Sequence, residues 1–170
     1  MKIPYVNLEA QWKEDEKELK PILLNILKKG QYIGGDEINE FEKKICKICG
    51  TKYAVALNSG TDALTLGLYL LGVKRGDEVI TPPNSFISST SSIVHIGAKP
   101  VFVDVLKDQN INPELIERAI TKKTKAIMPV HLTGRIAEMN SIIKISKKYK
   151  IPIIEDAAQS IGSKYYGKKS

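Results

Sequence analysis

The sequence predicts an α/β fold, a mostly parallel sheet with helices on both faces. Two observations carry this. From residue 52 onward, short apolar runs of strand length alternate with stretches of helical periodicity. No internal repeat or low-complexity linker interrupts that alternation, and 170 residues suffice for one domain with its own core.

The elements follow in order. "NLEAQWKEDEKELKPILLNILKKG" carries Leu8, Trp12, Leu19, Leu23, Ile26 and Leu27 at roughly helical spacing, and Gly30 stops the helix. Pro21 is expected to start or kink a helix rather than sit in its middle. "QYIGGDE" is a loop. "DEINEFEKKICKICG" is a second amphipathic helix with Ile38, Phe41, Ile45 and Ile48 inward. "KYAVAL" reads as a strand, and "TDALTLGLYLLG" as a helix buried nearly all round. "DEVITPP" is a strand and "SFISSTSSIVHIG" a helix. "KPVFVDV" is a strand, and "NPELIERAI" a helix with Pro113 in its first turn. "KAIMPV" is a strand, "MNSIIKISKKY" a helix and "IPIIED" a strand. The polar, basic "YYGKKS" shows no closing helix.

Composition narrows the function classes. The net charge is +7, but the lysines are scattered in pairs such as Lys28-Lys29 and Lys147-Lys148. Most fall at expected helix ends, where cations suit the helix dipole. The aromatics that stack on single-stranded nucleic acid are missing, so a nucleic-acid partner is not expected. Cys46 and Cys49 have C-x-x-C spacing, yet they close a helix just before Gly50. They read as small apolar residues rather than a redox pair or half a metal site. Met1-Lys2-Ile3-Pro4 leads into no apolar run, and no segment approaches a membrane span. A cytoplasmic location without a membrane partner is the expectation.

Parallel sheets gather their chemistry at the carboxyl ends of their strands. After "KYAVAL" comes "NSGTDAL": Ser59 and Gly60 form a tight loop and Thr61 opens a helix, a pattern suited to one phosphate. It is neither a Walker loop nor a dinucleotide loop. After "DEVI" comes "TPPNSF", which places Phe86 near the mouth of the sheet, where it can stack on a flat ring. After "KAIM" comes His131, read as a hydrogen-bonded structural histidine in preference to an acid or base. The last strand ends in Glu155-Asp156, with Gln159 one turn beyond Asp156. A phosphate cup, a stacking aromatic and a strand-end carboxylate together suit pyridoxal 5′-phosphate (PLP), whose ring nitrogen needs an adjacent carboxylate to stay protonated. By strand alternation Glu155 faces away and is structural.

These motifs, in order, resemble the DegT/DnrJ/EryC1/StrS sugar aminotransferases, PLP enzymes of the aspartate-aminotransferase fold type. "IPYVNL", "GQYIGGDEINEFE", "NSGTDAL", "GDEVITPPNSF", "GAKPVFVDV", "PVHLTG" and "IIEDAAQSIG" carry the resemblance through nearly the whole chain. It implies that Gly60 and Thr61, helped by Ser59, hold the cofactor phosphate. It implies that Phe86 stacks on the ring, Asp156 pairs with its nitrogen and Gln159 lies near its hydroxyl, where many members have His. Tyr32 would border the substrate pocket.

The resemblance divides the chain at residues 1–35, an N-terminal arm and first helix, and 36–170, a truncated PLP-binding large domain. The small C-terminal domain and the Schiff-base lysine of the family are expected beyond Ser170, so no catalytic residue is assigned within the chain. The isolated chain is expected to bind PLP poorly and to be inactive. The implied activity is transfer of an amino group, usually from glutamate, to a nucleotide-linked keto sugar by a homodimer. The product would be an amino sugar for polysaccharide, glycan or antibiotic. A PLP-dependent sugar dehydratase and a non-catalytic truncated paralogue are the alternatives.

Overall fold

The computed structural model describes residues 3–169. Met1 and Lys2, where a leader was sought, and Ser170, the end of the polar tail, lie outside them.

Three parallel strands form the sheet: β1 (Glu78–Thr81) in the centre, β2 (Lys99–Phe102) on one side and β3 (Thr124–Ile127) on the other. Val79, Ile80 and Thr81 of β1 are fully buried, as a central strand requires. Along β2, Lys99 and Val103 N–H groups bond the Asp77 and Thr81 carbonyls. Pro100 therefore turns its missing donor to the free edge, the one place a strand proline costs little.

Segment 151–156 runs parallel beside β3. Ile127 N–H donates to the Pro152 carbonyl and Ile154 N–H to the Ile127 carbonyl, both at 3.0 Å. Asp156 N–H then reaches the Pro129 carbonyl (3.0 Å), and His131 N–H the Asp156 carbonyl (3.1 Å). The pairs Ile127–Ile153 and Val130–Asp156 keep one register. The rung between them is missing because Pro129 has no N–H to offer the Ile154 carbonyl.

Residue alternation splits the core in two. Val79, Ala126 and Met128 face α3 (Gly60–Leu70) and α4 (Ile87–His95), packing with Leu64, Leu68 and Ile93. Ile80 and Ile127 face α5 (Pro113–Ala119) and α6 (Met139–Tyr149), packing with Ile116, Met139 and Ile142. The expected helices on both faces are therefore present.

Elsewhere the structure departs from expectation. Helix α1 (Leu8–Lys29) runs unbroken through Pro21. The carbonyl left without a donor lies on a helix with no buried residue, open to solvent, so losing that bond costs less there than in a core. The Asn7 side chain caps the start by accepting from Ala10 N–H (3.1 Å), and Gly30, left-handed at φ 65°, closes the end. Helix α2 (Asp36–Cys49) also buries nothing, so Ile38, Phe41 and Ile48 are exposed rather than inward. Helix α3 buries Leu64 and Leu68 but leaves Leu66, Tyr69 and Leu70 exposed, so it is not buried all round. Segment 52–57 has no ladder partner among the described residues and is not a strand. Burial patterns announce that an apolar face wants a partner; here no described element covers these faces enough to bury them. A small hairpin, β4 (Lys164–Tyr165) and β5 (Lys168–Lys169), closes the described chain. Its turn has Tyr166 and Gly167 both at positive φ, 47° and 80°.

Candidate functional site

Four chain segments converge at the carboxyl ends of the strands. The first is the start of α3. Ser59 is its N-cap: the hydroxyl accepts from Asp62 N–H and donates to the Asp62 carboxylate, both at 3.1 Å. The Gly60 and Thr61 N–H groups have no partner among the described residues. The space beside Gly60 is open; a Cβ there would meet nothing within 4 Å. Two free donors at a helix start form an electropositive recess.

The second segment leaves β1 through Pro82-Pro83 and delivers Ser85 and Phe86 to the start of α4. Phe86 is the residue before that helix and is 72% exposed. Ser88, the second residue of that helix, shares a hydrogen bond with Thr61 (2.7 Å), which ties α4 to α3.

The third and fourth segments are the end of β3 and its neighbour 151–156. Val130 and Asp156 face the α3/α4 side, and Asp156 is buried. Its Oδ2 accepts from the Ser89 hydroxyl (2.7 Å) and its Oδ1 from Ala158 N–H (3.3 Å). Each oxygen thus accepts from one donor. Glu155 faces the other side, where it accepts from His131 Nε2 (2.8 Å). His131 Nδ1 accepts from Ala137 N–H (3.2 Å), so Nε2 carries the proton. His131 is fully buried and lies outside the cleft.

The cleft between these segments has a volume of about 280 Å³. Gly60, Thr61, Phe86, Asp156 and Gln159 all line it, together with Ser85, Ser88, Val130 and Ala158. Ser59 does not, its hydroxyl being occupied by the cap. Gln159 follows Asp156 in successive turns rather than in a helix, and its Oε1 accepts from Thr133 N–H (2.7 Å). Tyr32 lies in the loop between α1 and α2, 69% exposed, and is not at the cleft.

The serines were the residues that sequence reasoning missed. Their signal was present: in "SFISST", Ser85 and Ser89 are four apart, one helical turn, so both face the strand ends. The arrangement suits an elongated ligand with an anionic end, a flat ring and a protonated nitrogen.

Comparison with known proteins gives a consistent picture. The profile of the DegT/DnrJ/EryC1/StrS aminotransferase family matches residues 13–170. The chain is 42% identical over 169 residues to the UDP-2-acetamido-2-deoxy-3-oxo-D-glucuronate aminotransferase of Pseudomonas aeruginosa, covering 99% of this chain and 47% of that one. Among solved structures it resembles DesV of Streptomyces venezuelae, with a TM-score of 0.95, 38% identity and coverage of 99% and 46%. It also resembles NtdA of Bacillus subtilis, solved with the cofactor PMP bound, with a TM-score of 0.93, 36% identity and coverage of 99% and 39%. The chain thus spans about half the length of the curated relatives it matches.

Proposed function

Because the chain belongs to the DegT/DnrJ/EryC1/StrS aminotransferase family, we propose that the full-length protein is a PLP-dependent enzyme that moves an amino group, with glutamate as donor, onto a nucleotide-linked keto sugar. The observation that carries this reading is one cleft holding free helix-start donors at Gly60 and Thr61, an exposed Phe86 wall and a buried Asp156 carboxylate.

The residues fit the cofactor. The open side of Gly60 leaves room for a phosphate against two N–H groups that have no partner among the described residues. A large exposed aromatic at the cleft wall gains by covering a planar ring. Bound PLP supplies a cationic ring that takes up electron density from a substrate carbon. Gly60 and Thr61 would anchor the phosphate end, and Phe86 would fix the ring plane. Asp156 would accept a hydrogen bond from the ring nitrogen and keep its proton in place. Gln159, whose amide nitrogen is free of partners among the described residues, would face the ring hydroxyl.

The reading extends to a homodimer, supported by the apolar faces that α1 and α2 leave exposed. It extends also to a cytoplasmic location, where nucleotide-linked sugars and glutamate meet, and to an amino-sugar product for polysaccharide, glycan or antibiotic.

The test is binding and turnover by the full-length protein. It should bind pyridoxamine phosphate (PMP) and convert nucleotide-linked keto sugars to amino sugars with glutamate. Asp156→Asn should weaken PMP binding by about tenfold or more, the loss of a charged hydrogen bond. Failure of the wild type to bind either form of the cofactor refutes the reading.

A further inference from the structure

Asp156 does not stand alone at the back of the cleft. Its shortest hydrogen bond comes from Ser89, whose side chain is fully buried on the first turns of α4. A serine hydroxyl has one proton, and here it is given to Asp156 Oδ2 at 2.7 Å. Ser89 Oγ must therefore accept in its other contact, 2.8 Å from Ser85 Oγ. Ser85 lines the cleft. Two hydroxyls thus form a one-way chain, Ser85 to Ser89 to Asp156, with every donor aimed at the carboxylate. Such chains polarise one another in a site shielded from water.

The other contact on Asp156 is weaker. Ala158 N–H reaches Oδ1 at 3.3 Å. That oxygen has a second lone pair and retains acceptor capacity. Rotation of the carboxylate is resisted chiefly from the Ser89 side, so Ser89 determines where the free lone pair points.

We infer that Ser89 is a positioning residue, backed by Ser85, that aims Asp156 at the protonated ring nitrogen of the bound cofactor. The inference rests on the PLP reading above. It differs from a packing role in one checkable way: the hydroxyl matters only to a ligand that has the ring nitrogen.

The experiment compares two probes by titration calorimetry in the full-length protein. One is PMP; the other is its 1-deaza analogue, which has carbon in place of the ring nitrogen. Neither needs a covalent link to the protein. Ser89→Ala should weaken PMP about tenfold, as expected for a lost hydrogen bond to a charged group. The affinity for the deaza analogue should change by less than about twofold, well under the 1.4 kcal/mol that a factor of ten represents. Ser89→Thr keeps the hydroxyl and should keep the wild-type preference between the probes. Ser85→Ala should lower that preference in the same direction by a smaller factor. Should Ser89→Ala not fold, Ser85→Ala decides alone. Equal loss for both probes, or no loss for either, overturns the inference while leaving the PLP reading intact. Wild-type protein that binds neither probe overturns the PLP reading itself, and the inference with it.

Discussion

At the level of single residues, exposure sets how much the fold loses when a side chain is removed. Phe86 is 72% exposed, so the folded chain has little packing to lose there. Phe86→Ala should leave stability within about 0.5 kcal/mol of wild type. It should weaken PMP binding roughly two- to tenfold, the range of an aromatic stacking contact. Thermal melts and calorimetry on the same variant check both halves, and a large loss of stability would place Phe86 in the core instead. His131 is the opposite case. It is fully buried, accepts from Ala137 N–H and donates to Glu155. His131→Ala should cost about 2–4 kcal/mol in urea denaturation, from lost packing and an unpaired backbone donor. The placement of Phe86 and Asp156 at the cleft was legible in the sequence from their positions just past strand ends, although a phenylalanine taken alone reads as core. The Ser89 contact was not legible, because a serine in a helix usually means nothing more than a small neighbour.

Elements meet through a few close approaches. Gly67 lets α3 lie against segment 151–156: a Cβ there would come within 2.5 Å of Ile154 Cδ1. Gly67→Val should destabilise by about 1–3 kcal/mol through overpacking. Adding Ile154→Val, which removes that methyl, should recover much of the loss; additivity of the two changes would show the contact is unimportant. Tyr165 of the hairpin docks on α6, donating to Glu138 (2.6 Å) and accepting from Asn140 N–H (3.4 Å). Burial, then the bond to Glu138, holds the phenol proton above its ordinary range. A raised folded value means the contribution is complete below the unfolded value of about 10 and fades as pH rises through the folded one. Denaturation followed from neutral to strongly alkaline pH should therefore fall more steeply for wild type than for Tyr165→Phe. At the other end of α6, Lys148 and the Tyr149 hydroxyl both bond Glu117, which joins α5 to α6 and holds the Glu117 carboxyl below its usual range. That pair is solvent-exposed, and its small effect is lost at the acid end. Alternation of apolar runs placed β1, β2, β3 and helices α3 to α6 correctly. It failed at 52–57 because a strand is defined by its neighbour, which no run of residues contains. It missed the hairpin because two lysine-rich pairs have no apolar signature, only the Tyr166-Gly167 turn.

Over the whole molecule, burial is uneven. The two core clusters lie between Leu64 and Ile151, whereas α1 and α2 bury no residue. Ile22, Leu23, Leu24 and Leu27 on α1, Phe41 on α2, and Tyr53 and Val55 of segment 52–57 are all exposed. So much apolar surface favours association. The 170-residue chain should sediment as dimers or larger species at micromolar concentration, and Leu23→Glu with Leu27→Glu should reduce that association without unfolding the sheet. A sharp monomer across the concentration range would contradict this. The sheet that divides the molecule also sorts its acids. Adjacent Glu155 and Asp156 face opposite layers, one held by His131 and the other by Ser89. Sliding 151–156 by one residue would exchange them, offering the shorter acid to the imidazole and the longer one to the serine. Each layer thus tests the parity of the strand. Insertions or deletions in the loop before it are tolerable only if they leave that parity unchanged.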